Sequence, residues 1–332
     1  MLNIASSIRR QKMMWGIAGL GNFAETGFMP AFNLLRRAKL LSVYSGDIHR
    51  AKSFADKFGA ANHFDNFDAF LASGIDAVYI AGANSTHFLQ AKKALLAGIF
   101  VLCEKPVTNT AEEAAELHRL AQETGRIFTI NYTYRYHPFI VKAKDLLDNH
   151  KLGRILSIQA DFNVDLVPGS NFRYERAQAG GGALRDLGTH MIDTFRFLLG
   201  DISEISGYLD NLVYKADVED FATAIVKFEN GSFGNFTVSY AAKKGINSLK
   251  ITGHKGSIRI DNLIGMRYSS SKLMISLEGE AQKVFRKRAN KLYRLLRDVN
   301  TSFLKKVQPP ITSLDGLVNM QLMEALERKC RK

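Results

Sequence analysis

Two rhythms of apolar and polar positions divide this chain near residue 131. Before that point, short apolar runs at 14–18, 40–45, 76–81, 100–103 and 126–131 alternate with stretches whose apolar residues recur every three to four positions. Continuous apolar runs of this length suit strands buried on both faces, and the recurring stretches suit amphipathic helices. One helical pattern extends through Arg37, another through Ala97 with Gly98 as its stop, and a third, capped by Thr108 or Asn109, reaches Thr124. Repeated strand–helix units with short connections predict a doubly wound, mainly parallel α/β sheet over residues 1–131.

Beyond residue 132 the pattern changes. Segments 155–164, 202–209, 221–229, 232–240, 248–252 and 257–260 are rich in Val, Ile, Phe and Thr. Turns such as Glu229-Asn230-Gly231-Ser232 and Gly253-His254-Lys255-Gly256 separate them. Successive hairpins predict a large, mainly antiparallel sheet over residues 132–332, with one face packed on helices and the other open to a partner chain. A homodimer or homotetramer through that open sheet is the expected assembly.

Composition narrows the class without naming it. The chain has 332 residues, 46% of them hydrophobic and 23% charged, enough for two domains with separate cores. No apolar run approaches the roughly 18 residues of a membrane span. Two cysteines, Cys103 and Cys330, form neither a disulfide framework nor a metal spacing, and this suits a reducing cytoplasm. The first dozen residues lack acids and carry Arg9, Arg10 and Lys12, which reads as a short disordered lead. The net charge of +13 is concentrated in the last fifty residues, where 13 Lys/Arg face 4 Asp/Glu. No nucleic-acid motif accompanies this basic region. From Phe285 to Lys306 it shows a helical stripe of Phe285, Leu292, Leu296, Val299 and Phe303. Packing on the core with a solvated basic face is the favoured reading. Docking to an anionic membrane or a phosphorylated substrate is the alternative. Stable membrane association is not expected.

Candidate chemistry begins at Gly19-Leu20-Gly21-Asn22-Phe23-Ala24, a G-x-G-x-x-A turn between a predicted strand and a helical pattern. Gly19 allows the tight turn, Gly21 lets a pyrophosphate approach the backbone, and Ala24 lets the helix pack close to the strand. Helix amides then face the phosphate. In that context the turn predicts dinucleotide binding. The second strand ends in Ser45-Gly46-Asp47, with Arg50 one turn on. An acid at this end would favour NAD. Ser45 with Arg50 can hold a 2′-phosphate instead, and Asp47 can serve as the helix N-cap. NADP(H) is therefore slightly favoured over NAD(H). The strand at residue 100 ends in Glu104-Lys105-Pro106, which puts Lys105 at the ligand-binding edge of an open sheet. A plain surface lysine is the alternative.

A second cluster is Gly180-Gly181-Gly182-Ala183-Leu184-Arg185-Asp186-Leu187-Gly188-Thr189-His190. Asp186 and His190 are four apart and would share one face of a helix. Such a carboxylate can orient the imidazole and raise its pKa for proton transfer, or the pair can merely tie down the helix. No Cys or Glu falls at ligand spacing around His190, so no metal is expected. The stretch Asn131-Tyr132-Thr133-Tyr134-Arg135-Tyr136-His137-Pro138 is an aromatic, basic hinge that either walls a polar pocket or is a packed crossover.

Taken together, these motifs resemble the Gfo/Idh/MocA oxidoreductase family, from the Gly19-Leu20-Gly21 turn to the Pro310-Ile311-Thr312-Ser313-Leu314-Asp315-Gly316 stretch. The resemblance implies a Rossmann domain, a second α/β domain with a large open sheet, and a bound nicotinamide dinucleotide. It implies a Lys–Asp–His catalytic group at Lys105, Asp186 and His190, lying between the domains, with Glu104 supporting the loop. Asn84 and His87 match the family's cofactor loop, although Gly82-Ala83-Asn84 replaces its usual Thr-Pro-Asn. Asn22 and Phe23 join Gly19, Gly21, Ala24, Ser45 and Arg50 as expected cofactor contacts. Arg135, Asn171 and Arg173 are candidates for substrate contacts. The expected function is hydride transfer to or from a sugar, polyol or nucleotide sugar. The alternatives are a silent dinucleotide sensor or scaffold, or a redox-assisted glycosidase.

Overall fold

The computed structural model describes residues 12–169, 171–263 and 270–330. The lead with Arg9 and Arg10, and the terminal Lys332, lie outside the described residues. The described residues up to Asn131 together with Leu292–Val318 form one compact unit; those of Tyr132–Lys291 and from Asn319 onward form the other.

The first unit is built on six parallel strands, Met13–Ala18 (β1), Ala38–Tyr44 (β2), Asn62–Phe64 (β3), Ala77–Ile80 (β4), Phe100–Cys103 (β5) and Phe128–Ile130 (β6). Every residue of β4, β5 and β6 is buried, as strands covered on both faces require. Their order in the sheet is β3-β2-β1-β4-β5-β6, the doubly wound arrangement. Three helices carry clear stop signals or caps. Asp47 caps Ile48–Phe58, which ends at Gly59 with φ +72°. Asn66 caps Phe67–Leu71 through the amide of Ala69. The helix Ala111–Thr124 begins one residue later than expected, because Thr110 and Glu113 form a reciprocal capping box.

The first helical pattern does not run to Arg37. A π-turn, Ala24–Phe28, leads into one α-turn, Met29–Phe32, and Leu34 and Leu35 then close i+3 turns on Ala31 and Phe32. Pro30, which lacks an amide hydrogen, is confined to that opening turn. The basic stripe also begins later than the sequence pattern suggested. Leu292, Leu296, Val299 and Phe303 are buried on the helix Lys291–Lys305, whereas Phe285 is an exposed residue of a strand. That helix belongs with the first unit from Leu292 onward. The Trp15 ring stacks on Phe303 at 5.5 Å, and its indole N–H donates to Asn300 Oδ1 at 2.8 Å.

The second unit carries an eight-stranded sheet of Ile155–Asn163 (β7), Ile202–Asp210 (β8), Phe221–Phe228 (β9), Phe233–Ser239 (β10), Ser248–Gly253 (β11), Gly256–Asp261 (β12), Ser271–Leu277 (β13) and Lys283–Lys287 (β14). The order is β14-β13-β12-β11-β7-β10-β9-β8, antiparallel except for the β7–β10 pair. Alternate residues Ala222, Ala224, Val226 and Phe228 of β9 are buried. Phe195 of the helix Thr189–Leu199 packs on Phe228 and Phe236, with ring centroids 6.3 and 6.1 Å away. On the other parity Tyr208, Ile225 and Phe233 are exposed. Strand β14 is exposed at all five residues, and its lysines and arginine blunt the sheet edge.

Replacing the capping residue, Thr110→Ala, is expected to lower stability by about 1 kcal/mol in urea unfolding. Substituting Thr108 should have no such capping effect, because its hydroxyl donates to the Thr110 carbonyl.

Candidate active site

Strand order reverses between β1 and β4, and the loops leaving the carboxyl ends of β1, β2, β4 and β5 gather at that edge. Gly19 follows β1 with φ +97°, and a Cβ there would lie 2.3 Å from the Gly82 amide nitrogen. No side chain fits where these two loops touch. Two residues on, a Cβ at Gly21 would meet nothing within 4 Å. The turn therefore leaves open backbone where a pyrophosphate would approach, with Asn22 and Phe23 exposed beside it and Ala24 buried at the helical start.

At the end of β2, Ser45 is buried and its Oγ accepts from the Asp47 amide at 3.2 Å. The Asp47 carboxylate accepts from the amides of His49 at 2.9 Å and Arg50 at 3.3 Å, so the acid is occupied as an N-cap. Those amides, that of Arg50 foremost, hold its pKa below the usual value. Arg50 itself is exposed on the first turn.

After β4, Ala83 adopts φ −66° and ψ 147°, the backbone a proline would impose, and Asn84 opens the helix Asn84–Leu96. The substitution of the family's Pro therefore keeps the loop's course. His87 is fully buried, with Nδ1 2.9 Å from the Pro106 carbonyl and Nε2 3.3 Å from that of Gly82. Burial outweighs both carbonyls and lowers its pKa to about 4. His87 thus ties the β4 loop to the β5 loop from behind the site. On β5's side, the Glu104 carboxylate accepts from the Tyr79 hydroxyl at 2.5 Å, from the Asn131 side-chain amide and from the Lys105 amide at 3.3 Å. Burial, reinforced by Glu104, raises the Tyr79 pKa well above normal and keeps it a donor. The Lys105–Pro106 peptide is cis, and Lys105 is partly exposed at the strand end.

In the second unit the glycine run is shaped by a residue that the sequence did not single out. A Cβ on Gly182 would lie 1.9 Å from the Glu219 carbonyl oxygen. The Glu219 carboxylate accepts from the amides of Gly182 at 3.0 Å and Leu184 at 3.1 Å, and burial raises its pKa. A π-turn, Leu184–Gly188, then runs into the helix Thr189–Leu199. The four-residue spacing of Asp186 and His190 is therefore not that of one regular α-helix; wide turns of this kind recur at functional sites.

Asp186 Oδ2 accepts from Arg173 Nε at 3.2 Å and from the Tyr240 hydroxyl at 3.1 Å. Burial first, and then Asp186, pushes the Tyr240 pKa well above normal. The His190 ring stands edge-on to Tyr134, centroids 4.7 Å apart, and 6.0 Å from Phe162. Asn171 caps the short turn Phe172–Tyr174, and Arg173 lies 4.9 Å over the Phe172 ring. Arg135 is buried, bonded twice to Asp193 through Nε and once through Nη2 at 2.6 Å. Among the described residues, no group of three or more His, Cys, Asp or Glu could hold a metal ion.

Residues 13–132 match the family described as "Oxidoreductase family, NAD-binding Rossmann fold", and residues 140–259 match the "GFO/IDH/MocA C-terminal domain". The chain is 27% identical over 312 residues to 1,5-anhydro-D-fructose reductase of Ensifer adhaerens, covering 91% of this chain and 92% of that protein. It is 30% identical over 256 residues to Oxidoreductase P35 of Formosa agariphila, covering 74% and 78%. The crystal structure of aldose-aldose oxidoreductase from Caulobacter crescentus with glycerol superposes with a TM-score of 0.88 at 25% identity, covering 97% of this chain and 98% of that one. A 3-ketoreductase from Actinomadura kijaniata, in complex with NADP and TDP-benzene, shares the fold with a TM-score of 0.86 at 24% identity over 97% and 98%.

His87 yields a test of the loop anchoring. Its folded pKa lies below the unfolded value, so the unfolded chain takes up the proton first as pH falls. Stability from this residue is expected to drop by about 3 kcal/mol between pH 6.5 and 4, in urea titrations at stepped pH. In His87→Gln that part of the pH dependence should vanish.

Proposed function

Because the chain belongs to the Gfo/Idh/MocA oxidoreductase family, whose N-terminal domain is NAD-binding, we propose that it is a dehydrogenase or reductase moving hydride between a nicotinamide dinucleotide and a CH–OH or carbonyl carbon of a sugar-like substrate. The observation that carries this reading is the placement of Lys105 at the end of β5, two strands from the open Gly19–Gly21 turn along the same sheet edge. The names of its relatives, among them reductases and dehydrogenases of sugars and nucleotide sugars, support the substrate class.

The residues present fit the dinucleotide. Gly21 would offer open backbone to the pyrophosphate within the turn that Gly19, Asn22, Phe23 and Ala24 shape, Ser45 and Arg50 would hold the adenosine ribose end, and Asn84 and the Glu104–Lys105 corner would hold the ring end. With Asp47 Oδ1 engaged as a helix cap, that oxygen is turned to the helix amides rather than offered to the ribose hydroxyls, which favours NADP(H). The bound cofactor supplies the hydride donor or acceptor. His190 takes the proton from the substrate hydroxyl during oxidation and returns it during reduction. The Lys105 ammonium, at the end of β5, is a hydrogen-bond donor able to stabilise charge developing on a substrate oxygen. Asp186, fixed by Tyr240 and Arg173, biases the imidazole toward accepting that proton. Asn171 shapes the turn that presents Arg173 to substrate, and Arg135 braces the wall behind.

A symmetric assembly through the outer face of the eight-stranded sheet fits the apolar side chains of Tyr208, Ile225 and Phe233 exposed there. A cytoplasmic location fits the two free cysteines. Among the described residues, no helix is long and apolar enough to cross a membrane.

Two substitutions test the assignment. His190→Ala is expected to lower kcat about 10²–10⁴-fold while NADPH binding, read by fluorescence titration, stays unchanged. Unaltered turnover would remove His190 from the mechanism. Arg50→Ala should raise KM for NADPH about ten-fold, the worth of one exposed charge-assisted bond, and leave KM for NADH as it was.

A further inference from the structure

Lys291, in the second unit, is a cation beside the proposed site that the mechanism above does not use. Lys291 opens the helix Lys291–Lys305, whose first turn carries no acid. Its Nζ lies 4.3 Å from the centroid of the Tyr134 ring, and the same ring stands 4.7 Å from the His190 ring. Lysine and catalytic imidazole thus share one aromatic neighbour. Among the described residues, no carboxylate lies within the 4.0 Å of an ion pair with Lys291. Among the described residues of this unit, the buried guanidinium groups have such partners: Arg135 has Asp193 and Arg185 has Glu327.

The energetics make this arrangement unusual for a purely structural residue. Enclosing an ammonium without a carboxylate partner is costly, and a ring face returns only part of that cost. The residue as a whole is half-buried, but its ammonium end is enclosed, and burial lowers its pKa to about 8. A leucine or methionine would cover Tyr134 without that cost. An anion arriving with a ligand would offset it.

We propose that Lys291 is a specificity-determining residue that binds an anionic group, a carboxylate or a phosphate, carried by the sugar substrate. This deepens the reading above by naming the substrate as an acidic or phosphorylated sugar, and it rests on that reading for the position of the reacting carbon near His190. A single ammonium suits one such group. The anion would sit away from the carbon that exchanges hydride, orienting the ring so that one hydroxyl meets His190.

Calorimetric titration of the NADP⁺-loaded protein, which requires no turnover, separates the two claims. The probes are D-glucose, D-glucuronate and D-glucose 6-phosphate, with inorganic phosphate as a control for a free anion. At least one charged sugar is expected to bind ten-fold or more tightly than D-glucose, and more tightly than inorganic phosphate. Lys291→Met should erase that preference while Lys291→Arg retains part of it, both variants melting near the wild-type temperature. Whichever charged sugar is preferred identifies the carboxylate or the phosphate. Equal binding of charged and neutral sugars, no binding of any of them, or a preference that survives Lys291→Met overturns the proposal. Turnover of a neutral sugar in that case leaves the dehydrogenase reading intact. Lys291-dependent binding of an acidic sugar without turnover upholds the anion site and counts against the hydride chemistry.

Discussion

The contact between Gly19 and the β4 loop is the constraint on which the ligand-binding edge of the first sheet depends. β1 and β4 are adjacent parallel strands at the point where the sheet's winding reverses, so their two outgoing loops must pass each other at backbone distance. A Cβ at Gly19 would overlap both Ala81 and Gly82, and its φ lies in the left-handed region. That close passage fixes where the Gly21 amide faces and where the helix Asn84–Leu96 begins. His87 then anchors the same loop to Pro106, and Glu104 fixes the corner carrying Lys105. A chain of backbone and side-chain contacts therefore connects the Gly19–Gly21 turn to the proposed catalytic lysine across two strands.

The second unit solves a similar problem with different chemistry. Its glycine run is drawn against Glu219 so closely that Gly182 has no room for a side chain, and the Glu219 carboxylate satisfies two amides of the turn. Satisfying those buried donors is what allows the backbone to enter the π-turn without orphaned groups. Asp186 emerges from that turn already held by Tyr240 and Arg173. Each proposed catalytic group is presented by a backbone segment whose shape is over-determined by its neighbours, which is the condition for pre-organised chemistry.

Much of this could be seen in the linear sequence, for a physical reason. Gly19 and Gly182 occupy places where neighbouring backbone leaves no room for a Cβ, so the constraint is written locally. Buried parallel strands write themselves as apolar runs in the same way, and five of the six strands of the first sheet followed from them; β3, three residues with none fully buried, did not. Glu219, Tyr240 and Lys291 were hidden because their roles arise from contacts with residues 35 or more positions away and follow no local spacing. Strand β14 escaped because an edge strand with five exposed, mostly basic residues has no buried alternation to reveal it. Phe285, on that strand, looked like a helix position only because its neighbours downstream are helical. The Thr110 cap was displaced by two competing hydroxyl and amide residues, Thr108 and Asn109, that the sequence alone ranks equally.

The central claim is that this chain moves hydride directly between a nicotinamide ring and a sugar carbon. The most direct measurement is to supply NADPH deuterated at C4, in each stereoisomer, with a panel of keto-sugars and to examine the products by NMR. Deuterium delivered from one stereoisomer only, to the carbon that becomes CH–OH, is the predicted result. Cofactor that binds yet keeps its label with every sugar, or label lost to solvent, would contradict it.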